Sequence, residues 1–402
     1  MSERHDILIV GGGLVGASLA IALDAAGCDV ALAEAVLAPP ATEPSYGERN
    51  LALARATCNG LDAIGVWPRV ASRATPIRRV CITRAGAFGS LHLQAAELGV
   101  DNLGCTLPAR ELGLGLHAGL AACSRLTRYA PARLTTMSPG NDAVRAVLAL
   151  PDGGNREVEA RLLVGADGSE SMLRRLLGIE AVRHDYAQIL FVCTVQPSRD
   201  LDGQAFERFG DDGPTALLPL AEGRAGLVLT ARADEADAVA MLDDDAFLAL
   251  AMRRLGGRVG RLSRPGPRHR HRIERVLANT LVGPRAVLVG NAAQTVHPIG
   301  AQGFNLGLRD ALTLAEMVVG AADPGDAVLL RDYAARRAPD RDGVVAFSHG
   351  MVQLACGGDS LLTPWRTLAL GAMNLPPLRR AMARRGMGFR GVPPRAVLED
   401  RP

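Results

Sequence analysis

Gly11-Gly12-Gly13-Leu14-Val15-Gly16 sets glycines at the first, third and sixth positions of a turn that follows the apolar run Ile7-Leu8-Ile9-Val10. The chemistry this pattern suits is the holding of a dinucleotide. Gly11 permits the tight turn, Gly13 lets a pyrophosphate approach the backbone, and Gly16 lets helix and strand close-pack, with the helix N-terminus facing the phosphates. Glu34 lies 18 residues beyond Gly16, at the end of a second apolar run. There a carboxylate can accept hydrogen bonds from both ribose hydroxyls. The glycine pattern alone also describes an empty turn, and Glu34 alone a strand-end acid. Strand, turn, helix and acid together favour a bound dinucleotide.

Two further glycine-rich turns return much later, Gly165-Ala166-Asp167-Gly168 and Gly290-Asn291-Ala292-Ala293. A flavin dinucleotide lies stretched across its domain and needs such far-apart loops. A nicotinamide dehydrogenase would instead continue in further strand–helix units. Asp167-Gly168 in isolation reads as a surface turn; between an apolar strand and a helix it reads as a second cofactor loop. From Pro298 to Asn305, Gly300 and Gly303 let backbone N–H groups converge at the start of a helix. Those donors and the helix dipole suit negative charge on a reduced flavin at its N1–C2 carbonyl edge. The alternative is a glycine-rich helix start with no ligand. His297 is the tempting general base, yet its place in the motif is equally that of a structural histidine, and no catalytic residue is assigned.

Composition narrows the partners. The charge of +3 and an aromatic content of 3% argue against nucleic acid. All 45 basic residues are arginine, which excludes a lysine Schiff base, a phosphate-loop lysine and a lysine base. Seven scattered cysteines without a C-x-x-C pair, and no histidine at zinc-ligand spacing, read as reduced thiols in a cytoplasmic protein with no metal site. The N-terminus runs straight into a strand, leaving no room for a signal peptide, and no apolar run reaches membrane-spanning length.

The elements that must position these turns are also legible. Strands are expected at residues 7–10, 28–33, 161–165 and 286–289, and helices at 14–23, 305–319 and, more loosely, 108–129. A hairpin is expected around Ala85-Gly86. Residues 184–282 change character, with short strand candidates at 189–195, 205–209, 216–220 and 226–230 and a helix at 244–255. The fold class is α/β. A discontinuous dinucleotide domain (1–75, 100–182 and 283–345) carries an inserted mixed-sheet substrate domain (76–99 and 183–282) and a helical C-terminal region (346–402).

Gly165-Ala166-Asp167-Gly168-Ser169-x-Ser171-x-x-Arg174 resembles the second signature of single-component flavin hydroxylases. The stretch from Gly290 through Pro298, continuing as Gly303-Phe304-Asn305-Leu306-Gly307-Leu308-Arg309-Asp310, resembles the third. Asn291, where most members carry aspartate, is similar to the ubiquinone-biosynthesis hydroxylases. Arg49-x-Leu51-Ala52-Leu53, Ala205-Phe206-Glu207-Arg208-Phe209, Asp332-Tyr333, Arg336-Arg337 and Asp340-Arg341 resemble one branch of these, the 2-octaprenyl-6-methoxyphenol hydroxylases. The resemblance covers roughly residues 5–350. It implies a FAD-dependent monooxygenase using NADH or NADPH and oxygen through a flavin hydroperoxide, with a polyprenylated phenol as substrate. Gly11, Gly13, Gly16 and Glu34 would bind the ADP half. Arg49 and Arg110 would meet the pyrophosphate and ribityl region, Asp167 with Gly168 the pyrophosphate side, and Asn291 the ribityl chain. Pro298, Gly303 and Asn305 would border the flavin ring.

Two departures stand out. Gly300-Ala301-Gln302-Gly303 replaces the usual Ala-Gly-Gln-Gly, so different loop dihedrals are expected. Arg268-His269-Arg270-His271-Arg272 replaces a more apolar segment and reads first as a solvated basic strand face. A membrane-resident substrate calls for peripheral contact with the inner membrane face. Leu361, Leu362, Trp365, Leu368 and Leu370 beside Arg379, Arg380, Arg384, Arg385 and Arg390 could supply it, or could be a packed helical tail. Alternatives are an epoxidase on the same scaffold and a flavin-binding, non-catalytic member of a quinone-biosynthesis complex. The missing lysine argues against a halogenase.

Overall fold

The computed structural model describes residues 3–36, 49–355 and 371–398. Its first layer is a sheet whose centre is parallel. Strand Glu3–Val10 lies between Val30–Ala33 and Asn155–Gly165, with Leu126–Tyr129 beyond the former and Ala286–Leu288 beyond the latter. Ile7, Leu8, Ile9 and Val10 are all buried, as a strand covered on both faces requires. Each such side chain contributes roughly 2 kcal/mol of burial. Helix Leu14–Ala25 packs on one face, against helix Gln302–Val318.

The second layer is a nine-stranded mixed sheet. Its central strands are Ala181–Pro197, Ala225–Arg232, Gly213–Pro219 and Gln204–Gly210, with His269–Ala278 on one side and the hairpin Arg79–Arg84/Leu91–Gln94 on the other. Helix Asp244–Leu255 covers the outer face, burying Phe247 and Leu248 against Phe191, Leu217 and Leu229. A small three-stranded sheet, Asn50–Ala54, Gly104–Pro108 and Thr75–Ile77, joins the two layers. The Thr106 hydroxyl donates to the Pro219 carbonyl at 2.6 Å. At Gly226 an added Cβ would lie 2.7 Å from the Asn50 amide, which would have to move to admit it.

Most expected elements form, with two differences. The helix expected over 108–129 stops at Ala122, and Leu126–Tyr129 instead extends the parallel sheet beside Val30–Ala33. The strand before Asp167 starts at Asn155, because the hairpin Arg133–Pro139/Val144–Ala149 pairs with its first half. The tail leucines and Trp365 lie outside the described residues, whereas Pro376–Gly386 is a helix. Among the described residues no helix is long and apolar enough to cross a membrane.

Candidate active site

Val10, Gly165 and Leu288 end three neighbouring parallel strands, so the three glycine-rich turns emerge side by side at one sheet edge. The Ala166 N–H donates to the Val10 carbonyl at 2.8 Å, and the Val289 N–H to the Gly165 carbonyl at 2.9 Å. Gly11 adopts φ +102°, and a Cβ there would lie 2.5 Å from the Ala166 oxygen. At Gly16 a Cβ would lie 1.9 Å from the Gly11 oxygen. Both glycines are therefore required by packing. Gly13, at the cap of the first helix, and Gly303, in the first turn of the Gln302–Val318 helix, have open space at the Cβ position instead, so packing within the protein does not require them to be glycine. Gly168 sits at φ +83°, also with nothing near its Cβ position.

Glu34 accepts the Gly12 N–H at 2.5 Å and the Val36 N–H at 3.0 Å. With Val36, His117, Arg128 and Ala130 it lines a cleft at the outer end of the first turn. Burial, and then the Arg128 charge, hold His117 below the usual histidine range. Asp167 caps the short helix Met172–Leu176, its Oδ2 accepting from the N–H groups of Met172 (2.6 Å) and Leu173 (3.2 Å). Its Oδ1 is buried with no hydrogen-bond partner among the described residues. A buried carboxylate oxygen without a donor is costly, and a cofactor hydroxyl would satisfy it.

Asn291 is exposed on the third turn. Arg49 is exposed, and its carbonyl accepts from the Ala109 N–H at 2.8 Å, which sets Arg49 and Arg110 at the same end of the small sheet. Pro298 precedes a turn in which both Gly300 (φ +63°) and Ala301 (φ +50°) are left-handed, so the changed order of these residues places a methyl group at a strained position. Asn305 is buried, and its side chain serves the protein itself. Its Oδ1 accepts from the Ala54 N–H at 2.9 Å, and its Nδ2 donates to the carbonyls of Ala52 (2.9 Å) and Ala301 (2.7 Å). It clips the 298–303 loop to the small sheet.

His297 is likewise a loop anchor. Its Nδ1 accepts from the Ile299 N–H and its Nε2 donates to Gln188 Oε1, each at 3.2 Å, which specifies the tautomer. Burial, helped by His349, pushes its pKa down to about 4, so it stays neutral across the physiological range.

The sheet facing these turns is partly open. On its outer face Leu217, Leu227 and Leu229 are buried, whereas Ala216, Leu218 and Val228, on the face towards the turns, are only half-buried. The basic strand divides between the faces. Arg270 and Arg272 point outward and pair with Asp237 (2.9 Å) and Asp185 (2.5 Å). His269 and His271 point inward, each with a buried Nε2 lacking a partner among the described residues. The expected solvated basic face therefore holds for the arginines alone, because strand alternation sends every second residue to the opposite side.

The residues that lock the turns together carried no assigned role in the sequence. Arg174, almost fully buried, donates to the Ala292 carbonyl at 2.9 Å and the Ser169 carbonyl at 2.6 Å, tying the second turn to the third. Asp310 accepts the Gly290 N–H at 3.2 Å and the Gln294 amide at 2.5 Å, and its other oxygen accepts from Arg337 at 2.7 Å. Arg337 also pairs with Asp340 at 2.9 Å, and Asp340 with Arg309 at 2.7 Å. All four are essentially inaccessible. Burial draws the Arg337 pKa down, but Asp310 and Asp340 outweigh it and hold the guanidinium charged. The only sequence sign of this network was its membership of the resembling stretches.

Residues 4–348 match the family model described as an FAD binding domain. The ubiquinone hydroxylase UbiL of Rhodospirillum rubrum is 36% identical over 388 residues, covering 95% of this chain and 89% of that relative. The chain belongs to the FAD-dependent hydroxylases of ubiquinone biosynthesis. The 3-demethoxyubiquinol 3-hydroxylase of Escherichia coli is 32% identical over 384 residues, covering 92% of this chain and 95% of the relative. Among solved structures, the p-nitrophenol 4-monooxygenase PnpA of Pseudomonas putida superposes with a TM-score of 0.80 over 98% of this chain and all of that one, at 19% identity, which speaks for the fold. As a member of this hydroxylase family the chain is an FAD-dependent aromatic monooxygenase, and the open glycines and the unsatisfied Asp167 oxygen fit that cofactor.

Proposed function

We propose that this enzyme hydroxylates a polyprenylated phenol of the ubiquinone pathway, using NADH or NADPH and oxygen, with 2-octaprenyl-6-methoxyphenol as the substrate its branch resemblance favours. Bound FAD would supply the oxygen-transferring chemistry; the protein supplies position, charge and exclusion of water. The observation that carries this reading is the convergence of three glycine-rich turns opposite a half-open apolar sheet face. Gly11, Gly13, Gly16 and Glu34 would hold the ADP half. Arg49, Arg110, Asp167, Gly168 and Asn291 would meet the pyrophosphate and ribityl chain, and the 298–305 backbone the flavin ring. The 1–75, 100–182 and 283–345 segments would form the cofactor domain, and 76–99 with 183–282 the substrate domain. Anaerobic addition of NADH to the purified yellow protein tests the redox part. Bleaching is expected, and subsequent oxygen uptake stimulated by a prenylated phenol supports hydroxylation. No stimulation by any phenol refutes the substrate class.

The described tail supports a peripheral membrane role. Leu375 and Leu378 are exposed beside exposed Arg380, Arg384 and Arg385, an apolar edge next to a basic one. Co-sedimentation with anionic vesicles should fall on deletion of the region beyond residue 355; equal binding of both forms refutes this role. Membership of a larger quinone-biosynthesis assembly would fit the same surface placement.

A further inference from the structure

Resting on the hydroxylase reading above, we propose that Glu207 is the catalytic proton acceptor for the substrate's phenolic hydroxyl.

Strand register supplies the geometry. On strand Gln204–Gly210, Phe206 packs into the outer core, and Arg208 points the same way, its guanidinium filling the space a Cβ on Gly256 would need, 2.0 Å away. Glu207 must therefore point inward, as does Phe209, which packs against Ile82 and Ile299. The Gly300 backbone N–H, in the loop expected to border the flavin ring, lies near enough to the Glu207 carboxylate to favour its charged form. Along one row of the inner face Glu207 is followed by Ala216, Val228 and Val192 on successive strands, and then by His269. The row spans about 19 Å from Glu207 to His269, with small apolar side chains between. An aromatic ring seated on Ala216 and Val228 would present its hydroxyl to Glu207 beside the reactive loop.

Glu207 is also unusual in its company. In a chain of 45 arginines it makes no ion pair among the described residues. Burial, opposed in part by the Gly300 N–H, pushes its pKa up to about 7, the value at which a base is both available and strong enough near neutrality. In the step itself the phenol O–H bond breaks, its electron pair stays on the phenol oxygen, and the proton forms an O–H bond on Glu207. The added electron density on the ring favours attack on electrophilic oxygen. When the oxygenated ring carbon later loses its hydrogen as a proton, the phenol oxygen is reprotonated, and Glu207 can return the proton it took.

The test uses FAD-loaded full-length protein without nicotinamide, so that no turnover occurs, and 2-geranyl-6-methoxyphenol as probe. Binding is read from the perturbed flavin spectrum at pH 6 and pH 8. With a pKa of about 7, the carboxylate fraction rises from about one tenth to nine tenths, so wild-type affinity should tighten about tenfold over this range. Glu207→Gln, which keeps an acceptor for the Gly300 N–H, should bind with no such pH dependence. Under turnover its hydroxylation rate should fall by about 10²–10⁴-fold, with partial rescue in Glu207→Asp. Equal pH slopes in wild type and Glu207→Gln, or hydroxylation within threefold of wild type, overturn the proposal and leave the hydroxylase reading standing. A protein that takes up no FAD, or an FAD-loaded wild type that does not bind the phenol, overturns that reading and this proposal with it. A Glu207→Gln protein that binds FAD normally has folded; if it does not, Glu207→Ala, which also lacks a titrating group, carries the same pH comparison.

Discussion

Replacing Asp310 by asparagine should cost the protein a large share of its stability and loosen its hold on FAD. Arg309, Arg337, Asp310 and Asp340 form a buried set of two cations and two anions, joined by contacts of 2.7–2.9 Å. Asp310→Asn leaves this set one positive charge in excess with almost no solvent to compensate. Breaking one member of such a buried pair costs about 3–5 kcal/mol. The amide also turns one acceptor into a donor, facing either Arg337 or the Gly290 and Gln294 donors, so a further buried group loses its partner. Against a typical total of about 5–15 kcal/mol the change is severe. Urea unfolding followed by circular dichroism measures it, and flavin fluorescence during titration measures FAD affinity, which should weaken because the Gly290 turn loses its tether. The paired variant Asp310→Leu with Arg337→Met removes one charge of each sign and should recover part of the stability, but not the flavin affinity, because the Gly290 and Gln294 donors still lack their acceptor. A single Asp310→Asn variant within about 1 kcal/mol of wild type, with unchanged flavin affinity, would refute the reasoning.

The other expectations follow from local geometry. Gly16→Ala should fail to fold stably, since its methyl meets the Gly11 carbonyl, whereas Gly13→Ala should melt normally yet bind FAD weakly, because its methyl points where the cofactor would lie; melting curves with and without FAD separate the two. Ala301→Gly should relieve the left-handed strain and stabilise the apoprotein by up to about 1 kcal/mol in denaturant unfolding; a loss of stability would mean that the loop is not strained there. Burial raises the folded-state pKa of Glu207 from 4.5 to about 7, so its ionisation opposes folding progressively as pH rises through this window. Glu207→Gln should therefore match wild type near pH 4.5, gain on it up to pH 7, and hold a lead of roughly 3 kcal/mol above that. A lead that shrinks with rising pH would contradict a half-buried carboxylate that makes no ion pair among the described residues.

The dinucleotide turns and the parallel strands before them were legible residue by residue. Their requirements are local: Gly11 and Gly16 leave no room for a side chain, and Ile7 to Val10 form a strand apolar on both faces. Helix Asp244–Leu255 was equally plain, since Asp243 caps it and the acids of its first turn and arginines of its last suit the helix dipole. The strand at Leu126–Tyr129 was not, because its pairing with Val30–Ala33 is nonlocal and overrides the helical reading of the preceding residues.

The amino-acid order thus determined the kind of cofactor, because phosphate contact, tight turning and helix capping are dictated within a few neighbouring residues. Tertiary structure alone decided what each polar side chain is for. The Asn305 side chain clips backbone; Asp310 and Arg337 form a buried tether; among the described residues Glu207 has no ion-pair partner although arginines abound. Those outcomes depend on which strand face is covered, and by which distant element. Burial, and the partner that relieves it, exist only once the layers have closed.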